Sequence, residues 1–204
     1  MSGEPSAYDR LAPIYDNRWP RYLSLSIDLA RSHLFANPGE TLVDVGCGTG
    51  QLLELVVTKE PDVHAYGVEP SEGMLAVARR RVSDRTHLIR GEASRIPLDA
   101  ASADWLVSTS ALHLFEDPAK ALGEFHRVLR PGGQLVLVDW AHDFVMMRVM
   151  TAWLQRREAG RIRVYRAIEL EHLLVKSGFE AVRVRARRMT WFWGMLVATA
   201  QRRR

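Results

Sequence analysis

The chain holds a single cysteine, Cys47, so no internal disulfide can form and its redox chemistry fixes no compartment. Long apolar runs are also missing. The longest, Trp191 to Ala200, has about half of the roughly 20 residues a membrane-spanning helix needs, and it reads as a strand. The opening residues, Met1 to Arg10, are polar, carry Glu4 and Asp9, and lack the apolar stretch of a secretory leader; a cytoplasmic location is the expectation. Negative charge is absent from the end, since no Asp or Glu follows Glu180 while Arg183, Arg185, Arg187, Arg188, Arg202, Arg203 and Arg204 all do. A second basic cluster comprises Arg148, Arg156, Arg157, Arg161, Arg163 and Arg166. Such clusters read either as solvated faces or as footing for nucleic acid, anionic lipid or an acidic substrate.

What is present is ordinary globular material. With 204 residues, 47% apolar and 25% charged, the chain has the length of a single domain and is too apolar to stay disordered. Neither a repeat nor a linker interrupts it. From residue 41 strands and helices alternate: Thr41–Val45, His64–Val68, Thr86–Arg90, Asp104–Ser108 and Gln134–Asp139 read as buried strands, the first ending on glycines. Between them, helices are expected over Gln51–Lys59, from an N-cap at Ser71 to Arg81 or Val82, and from Asp117-Pro118 to Leu129 before Pro131-Gly132-Gly133. This succession predicts an α/β fold: a doubly wound, Rossmann-like, mostly parallel sheet with helices on both faces and ligands at the strands' carboxyl ends. Beyond Trp140 the beat changes to helices over Phe144–Glu158 and Ala167–Lys176. An antiparallel hairpin of Ala181–Arg187 and Trp191–Ala200 closes the sheet, making seven strands. The organisation expected is lid helices in 1–40 (Tyr8–Asp16 and Arg21–Leu34), a cofactor-binding core in 41–140, a substrate cap in 141–166 and a closing helix and hairpin in 167–204.

The central chemical signal is Asp44-Val45-Gly46-Cys47-Gly48-Thr49-Gly50, at the junction of the first strand and first helix. Glycines there let the backbone turn sharply and approach a ligand closely. A dinucleotide fingerprint would need a third glycine at residue 51, which is Gln51, so the spacing is GxGxG and not GxGxxG. Glu69, ending the second strand before Pro70, stands where an acidic residue can accept both hydroxyls of a ribose. A glycine-rich structural turn and an exposed strand-end glutamate are the bland alternatives.

The loop and its preceding acid resemble motif I of the class I methyltransferases that use S-adenosylmethionine (SAM). Arg90-Gly91-Glu92-Ala93 is similar to that family's GDA segment, with Glu in place of Asp. Leu129-Arg130-Pro131-Gly132-Gly133 and the N-terminal Tyr8-Asp9-Arg10-Leu11-Ala12-Pro13-Ile14-Tyr15-Asp16 resemble the UbiE-like, or methyltransferase 11, subgroup. The resemblance implies a SAM site of Asp44, Gly46, Cys47, Gly48 and Gly50 around the methionine and ribose parts, and Glu69 and Pro70 at the ribose. Met74, Glu92 and Ala93 fall at the adenine, Ser108 at the end of the fourth strand, and Tyr15 in a segment folding over the cofactor.

It also implies methyl transfer to a small molecule such as a quinone, phenol or lipid. In-line displacement from a sulfonium needs alignment and exclusion of water more than it needs a base. His113, just beyond strand four, is the candidate catalytic or substrate-contacting residue, the alternative being a histidine that packs its loop; His142 qualifies by position alone. Met146, Met147, Met150 and Trp153 are candidates for an apolar pocket. A nicotinamide-dependent oxidoreductase is a second reading, against which the loop spacing speaks. A SAM-binding protein without methyl transfer, held to nucleic acid or a membrane by its arginines, is a third. For nucleic-acid methylation an Asn/Asp-Pro-Pro-Tyr-type segment is wanting, because Ser108-Thr109-Ser110-Ala111 stands there. Peripheral membrane contact stays open, as does oligomeric state.

Overall fold

The computed structural model describes residues 7–157 and 162–204. Glu158 and Arg161, named above, lie outside them. The helices are α1 (Ala7–Leu11), α2 (Tyr15–Arg18), α3 (Pro20–Arg31), α4 (Gln51–Lys59), α5 (Glu72–Arg81), α6 (Pro118–Val128), α7 (Val145–Arg157) and α8 (Ala167–Lys176). The strands are β1 (Thr41–Val45), β2 (His64–Glu69), β3 (His87–Arg90), β4 (Ala103–Thr109), β5 (Leu129–Trp140), β6 (Phe179–Arg188) and β7 (Gly194–Arg202). They form one seven-stranded sheet ordered β3-β2-β1-β4-β5-β7-β6, parallel from β3 to β5, with β7 antiparallel to both of its neighbours.

The central strands are apolar on both faces because both faces are covered. Val43 and Val45 of β1 join one core with Leu122 and Phe125 of α6 and Leu170 and Leu174 of α8. Leu42, next to Val43 in the pleat, points the other way and packs with Ala30 of α3, Leu53 of α4 and Leu75 of α5. Helix starts follow their caps: Asp117 accepts from the Lys120 amide at 3.0 Å with Pro118 in the first turn, and Ser71 Oγ accepts from the Met74 amide at 3.2 Å. Met74 and Ala78, four apart, are both buried in α5.

Three boundaries depart from the sequence expectation. The N-terminal helix over Tyr8–Asp16 breaks into α1, a 3-10 turn at Ala12–Ile14 and α2, with Pro13 inside the turn; Pro20 then opens α3 one residue before the expected start. Strand β5 begins at Leu129, not at Gln134. Its register on β4 jumps from Ala103↔Leu129 to Trp105↔Gln134, so Pro131-Gly132-Gly133 ends α6 as expected yet sits as an irregularity within the strand, with Gly132 at φ +82°. In the hairpin, Trp191, Phe192 and Trp193 are not strand. They form a tip in which Thr190 Oγ1 accepts from the amides of Phe192 (3.3 Å) and Trp193 (2.8 Å). β7 starts only at Gly194, where a Cβ would lie 1.9 Å from the Phe144 ring.

Gly67 in β2 lies against Leu53, Leu88 and Cys47, and a Cβ there would come within 2.7–2.8 Å of each. Gly67→Ala is expected to cost about 1–3 kcal/mol by overpacking. Urea unfolding of the two proteins checks this, and an unchanged midpoint would contradict the packing.

Candidate active site

The turn from β1 into α4 is held from both sides. Gly46 and Cys47 donate their amides to the Val68 carbonyl of β2 at 2.7 and 3.2 Å, pulling the turn under the end of the neighbouring strand. On the opposite side a Cβ on Gly46 would meet Ala111 Cβ, after β4, at 2.7 Å. Gly46, Gly48 and Gly50 have φ of +77°, +55° and +80°, so each satisfies a left-handed conformation that other L-residues adopt with strain.

Above this turn, at the carboxyl ends of the parallel strands, lies a cavity of about 540 Å³ lined among others by Gly46, Gly48, Glu69, Pro70, Met74, Gly91, Glu92, Ala93 and Ser110. That volume suits a small molecule or cofactor. Glu69 is fixed with both oxygens engaged, Oε2 accepting from the Gly48 amide at 3.1 Å and Oε1 from the Ser71 amide at 3.0 Å. Burial still raises its carboxyl above the usual range against those two bonds. Asp44 is buried at the end of β1 and its Oδ1 has no protein partner. Its carboxyl is pushed up to about 8, first by burial and then by the charge of Glu69. Two buried carboxylates that pair with no cation among the described residues make a site that favours positive charge.

Of the residues expected at the cofactor, Tyr15, Gly46, Gly48, Glu69, Pro70, Met74, Glu92 and Ala93 line the cavity. Asp44, Cys47, Gly50 and Ser108 do not. Cys47 is buried against Gly67, Gly50 packs on Ala78 and Val82, and Ser108 Oγ donates to the Val45 carbonyl at 2.7 Å, tying β4 to β1. His113 is also outside the lining. It is buried, its Nδ1 donates to Asp139 Oδ1 at 2.7 Å, its amide meets Asp139 Oδ2 at 3.2 Å, and its ring stacks on Trp140 at 4.1 Å. Met147 lies wholly in the core, and Trp153 faces outward.

Residues 43–137 match the methyltransferase domain family. Over 133 residues (65% of this chain, 48% of the relative) the chain is 35% identical to malonyl-[acyl-carrier protein] O-methyltransferase of Dechloromonas aromatica. Over 151 residues (67% of this chain, 59% of the relative) it is 31% identical to demethylmenaquinone methyltransferase of Symbiobacterium thermophilum. The chain spans about half the length of the curated relatives it matches. Among solved structures it superposes, with a TM-score of 0.85 and 19% identity, on a chain of the complex between the Haloferax volcanii Trm112 methyltransferase activator and a methyltransferase. That match covers 99% of this chain and 100% of the other. The core of the chain is thus a member of the methyltransferase domain family.

Two carboxylates latch the N-terminal segment of the chain over its cavity. Asp9 Oδ1 accepts from Ser71 Oγ at 2.6 Å and from the Gly73 amide at 2.8 Å, while Asp16 accepts from Thr49 Oγ1 at 2.7 Å and from Arg81 Nη2 at 2.6 Å. Gly73 is needed because a Cβ would strike Asp9 Cα at 2.7 Å. The latches bring Tyr8 and Tyr15 to the cavity wall. Burial first, then the charges of Glu69, Asp16 and Asp139, raise Tyr15 to about 12, so its hydroxyl keeps its proton and can donate but not act as a base near neutrality.

Sequence reasoning missed Ser110 as a site residue. Its φ of +56° is unusual for serine, and its amide is held by the Val138 carbonyl at 2.7 Å. Trp140 Nε1, which can only donate, gives its proton to Tyr22 Oη at 2.8 Å, and Tyr22 in turn donates to Ser110 Oγ. The serine proton is thereby left to point at the cavity that Ser110 lines. No local signal announces this, because the three residues meet from α3, β5 and the end of β4.

A carboxyl whose folded-state pKa lies above its unfolded value holds an extra proton in the folded protein. Asp44 therefore makes stability fall as pH climbs from about 4 towards 8. Asp44→Asn is expected to raise the melting temperature of the ligand-free protein, by an amount that grows over that window at about 2–4 °C per kcal/mol relieved. Thermal melts at several pH values check it, and a variant that melts no higher than the parent at pH 8 would contradict the charge burial.

Proposed function

We propose that this protein binds SAM in the 540 Å³ cavity and transfers its methyl group to a small-molecule acceptor by in-line displacement. The observation that carries this reading is Asp44: a buried carboxylate with an unpartnered oxygen, beside a glycine turn and a second buried carboxylate, suits a cofactor bearing an ammonium and a sulfonium. When bound, SAM supplies a methyl group on a positively charged sulfur, already activated as an electrophile.

The chain's own residues do the rest. Asp44 would balance the ammonium, and Glu69, already fixed by Gly48 and Ser71, would accept from the ribose hydroxyls. Met74 and the Gly91–Ala93 segment offer the wall for the adenine, with Glu92 exposed at its edge. The Asp9 and Asp16 latches exclude water from the reacting centre, which strengthens the electrostatic contacts inside. Ser110 would donate its oriented proton to a lone pair on the ligand. His113 acts on the reaction only through its stacking on Trp140, and so through the hydrogen bond that orients Tyr22 and Ser110. An acceptor of the quinone type agrees with the name of the demethylmenaquinone methyltransferase and with Leu114 and Phe115 on the cavity wall.

Titration calorimetry is expected to detect SAM binding and no NADH binding, with SAM affinity lost in Asp44→Ala and Glu69→Ala. Parental affinity in both variants would misplace the site, and tight NADH binding without SAM would replace the reading with the oxidoreductase one. Mass-detected methyl transfer across quinones, phenols, thiols, amines and lipids then identifies the acceptor. Tyr22→Phe removes the bond that orients Ser110 and is expected to weaken turnover of the cognate acceptor about 2–10-fold. Equal kinetics in parent and variant would dismiss that role.

A further inference from the structure

The tip of the β6–β7 hairpin and the outer side of α7 lie next to each other. Phe144, the residue before α7, packs its ring on Gly194 at the start of β7, and the Arg188 guanidinium lies over that ring at 5.1 Å. Arg188 Nη1 also reaches the Trp191 carbonyl at 3.4 Å. The start of α7 and the hairpin tip thus adjoin, at the same carboxyl end of the sheet as the cavity.

That surface is apolar where water should meet polar groups. Trp191 is 77% exposed, and Val145, Val149 and Trp153 are 68%, 60% and 50% exposed at four-residue steps along one stripe of α7. The tip does not fold inward to hide Trp191, because Trp193 already fills the inner position. Trp193 packs on Tyr22 at 5.0 Å and on Trp140 at 5.8 Å, and Thr190 Oγ1 fixes the turn. Arginine dominates the surrounding charge. α7 contains no acidic residue and β6–β7 has none beyond Glu180. Among the described residues Arg148, Arg156, Arg187 and Arg188 form no ion pair with a carboxylate, and Asp143 accepts from the Ala167 amide. Arg148 and Arg202 do reach backbone carbonyls, Arg148 those of His142 and Asp143 and Arg202 those of Arg127 and Leu129, which leaves their charge uncompensated.

We propose that this face docks the protein on an anionic lipid bilayer, with Trp191 and the α7 stripe entering the headgroup region and the flanking arginines meeting lipid phosphates. A tryptophan on a rigid tip, an amphipathic helix with an apolar stripe and a border rich in arginine together match such a surface. A nucleic acid would use the arginines and leave the Val145–Val149–Trp153 stripe unexplained. Docking by this face turns the carboxyl end of the sheet, which carries the cavity, towards acceptors dissolved in the membrane. The docking itself does not depend on methyl transfer.

The test uses the full chain and sedimentation with phosphatidylcholine vesicles, with and without phosphatidylglycerol. Binding is expected only to the anionic vesicles and is lost as salt rises. Trp191→Ser is expected to weaken it at least tenfold, and Arg156→Gln/Arg188→Gln by roughly twenty- to thirtyfold. Val149→Asp, at an exposed helix position, should abolish it as an independent variant if Trp191→Ser unfolds. Melting temperature and SAM titration on the same samples separate loss of docking from loss of fold or of the cofactor site. Absence of binding to anionic vesicles overturns the proposal, as does binding that all three variants leave unchanged. Tighter, salt-sensitive binding of duplex RNA or DNA that Trp191→Ser does not touch would also overturn it, assigning the arginines to nucleic acid.

Discussion

The turn between β1 and α4 can pass where it does only because residue 46 carries no side chain. Its amide reaches across to the Val68 carbonyl of β2, and its α-carbon lies so close to Ala111 that a methyl group would leave 2.7 Å between carbons. This contact brings the ends of β1, β2 and β4 to one point. Gly48 then falls within reach of Glu69, Glu69 is locked between Gly48 and Ser71, and Ser71 both caps α5 and holds Asp9 of the N-terminal segment. The cavity floor, its acidic wall and its cover all descend from one close approach of backbone to backbone.

The price is electrostatic. Asp44 and Glu69 are desolvated near each other, and in the ligand-free protein both carboxyls are raised, Asp44 as far as about 8. A sequence selected for stability alone would not bury two like charges beside an empty space. The neighbouring Asp16 shows the opposite arrangement. Burial works against it too, but hydrogen bonds from Thr49 and Arg81 outweigh this and hold its carboxyl below the usual range. The protein thus satisfies the carboxylate that fastens the cover and leaves one oxygen of Asp44 without a partner, behind the Glu69 that lines the cavity. Where strain of this kind persists, a bound cation that relieves it is a consistent explanation.

Much of this was legible in the chain. The strand run Thr41–Val45, the glycine spacing after it, Glu69 at the end of the next strand and the caps at Ser71 and Asp117 are all local patterns, and the structure realises each as a local feature. The features that were not legible depend on distant partners. The β7 boundary slipped because Trp191–Trp193 has the composition of a strand, whereas the packing of Phe144 on Gly194 and the Thr190 turn decide where pairing starts. His113 was read from its place after strand four, which a sequence displays. Its tie to Asp139 and its stack on Trp140, 26 and 27 residues away, are what turn it from the cavity, and these a sequence does not display.

That stack also explains how a residue outside the cavity can still bear on it. Asp139 receives the His113 imidazole and the His113 and Trp140 amides, so the imidazole and the indole are fixed as a pair. The indole then has one direction for its only donor, towards Tyr22, and Tyr22 has one remaining use for its own proton, at Ser110. Tyr22 belongs to α3 and touches Trp193 at the base of the hairpin tip, so the same ring that orients the serine also joins the cover helices to the outer aromatic surface. A displacement of the tip would therefore be felt at Ser110 through two ring contacts and two hydrogen bonds, all between side chains that packing has already immobilised.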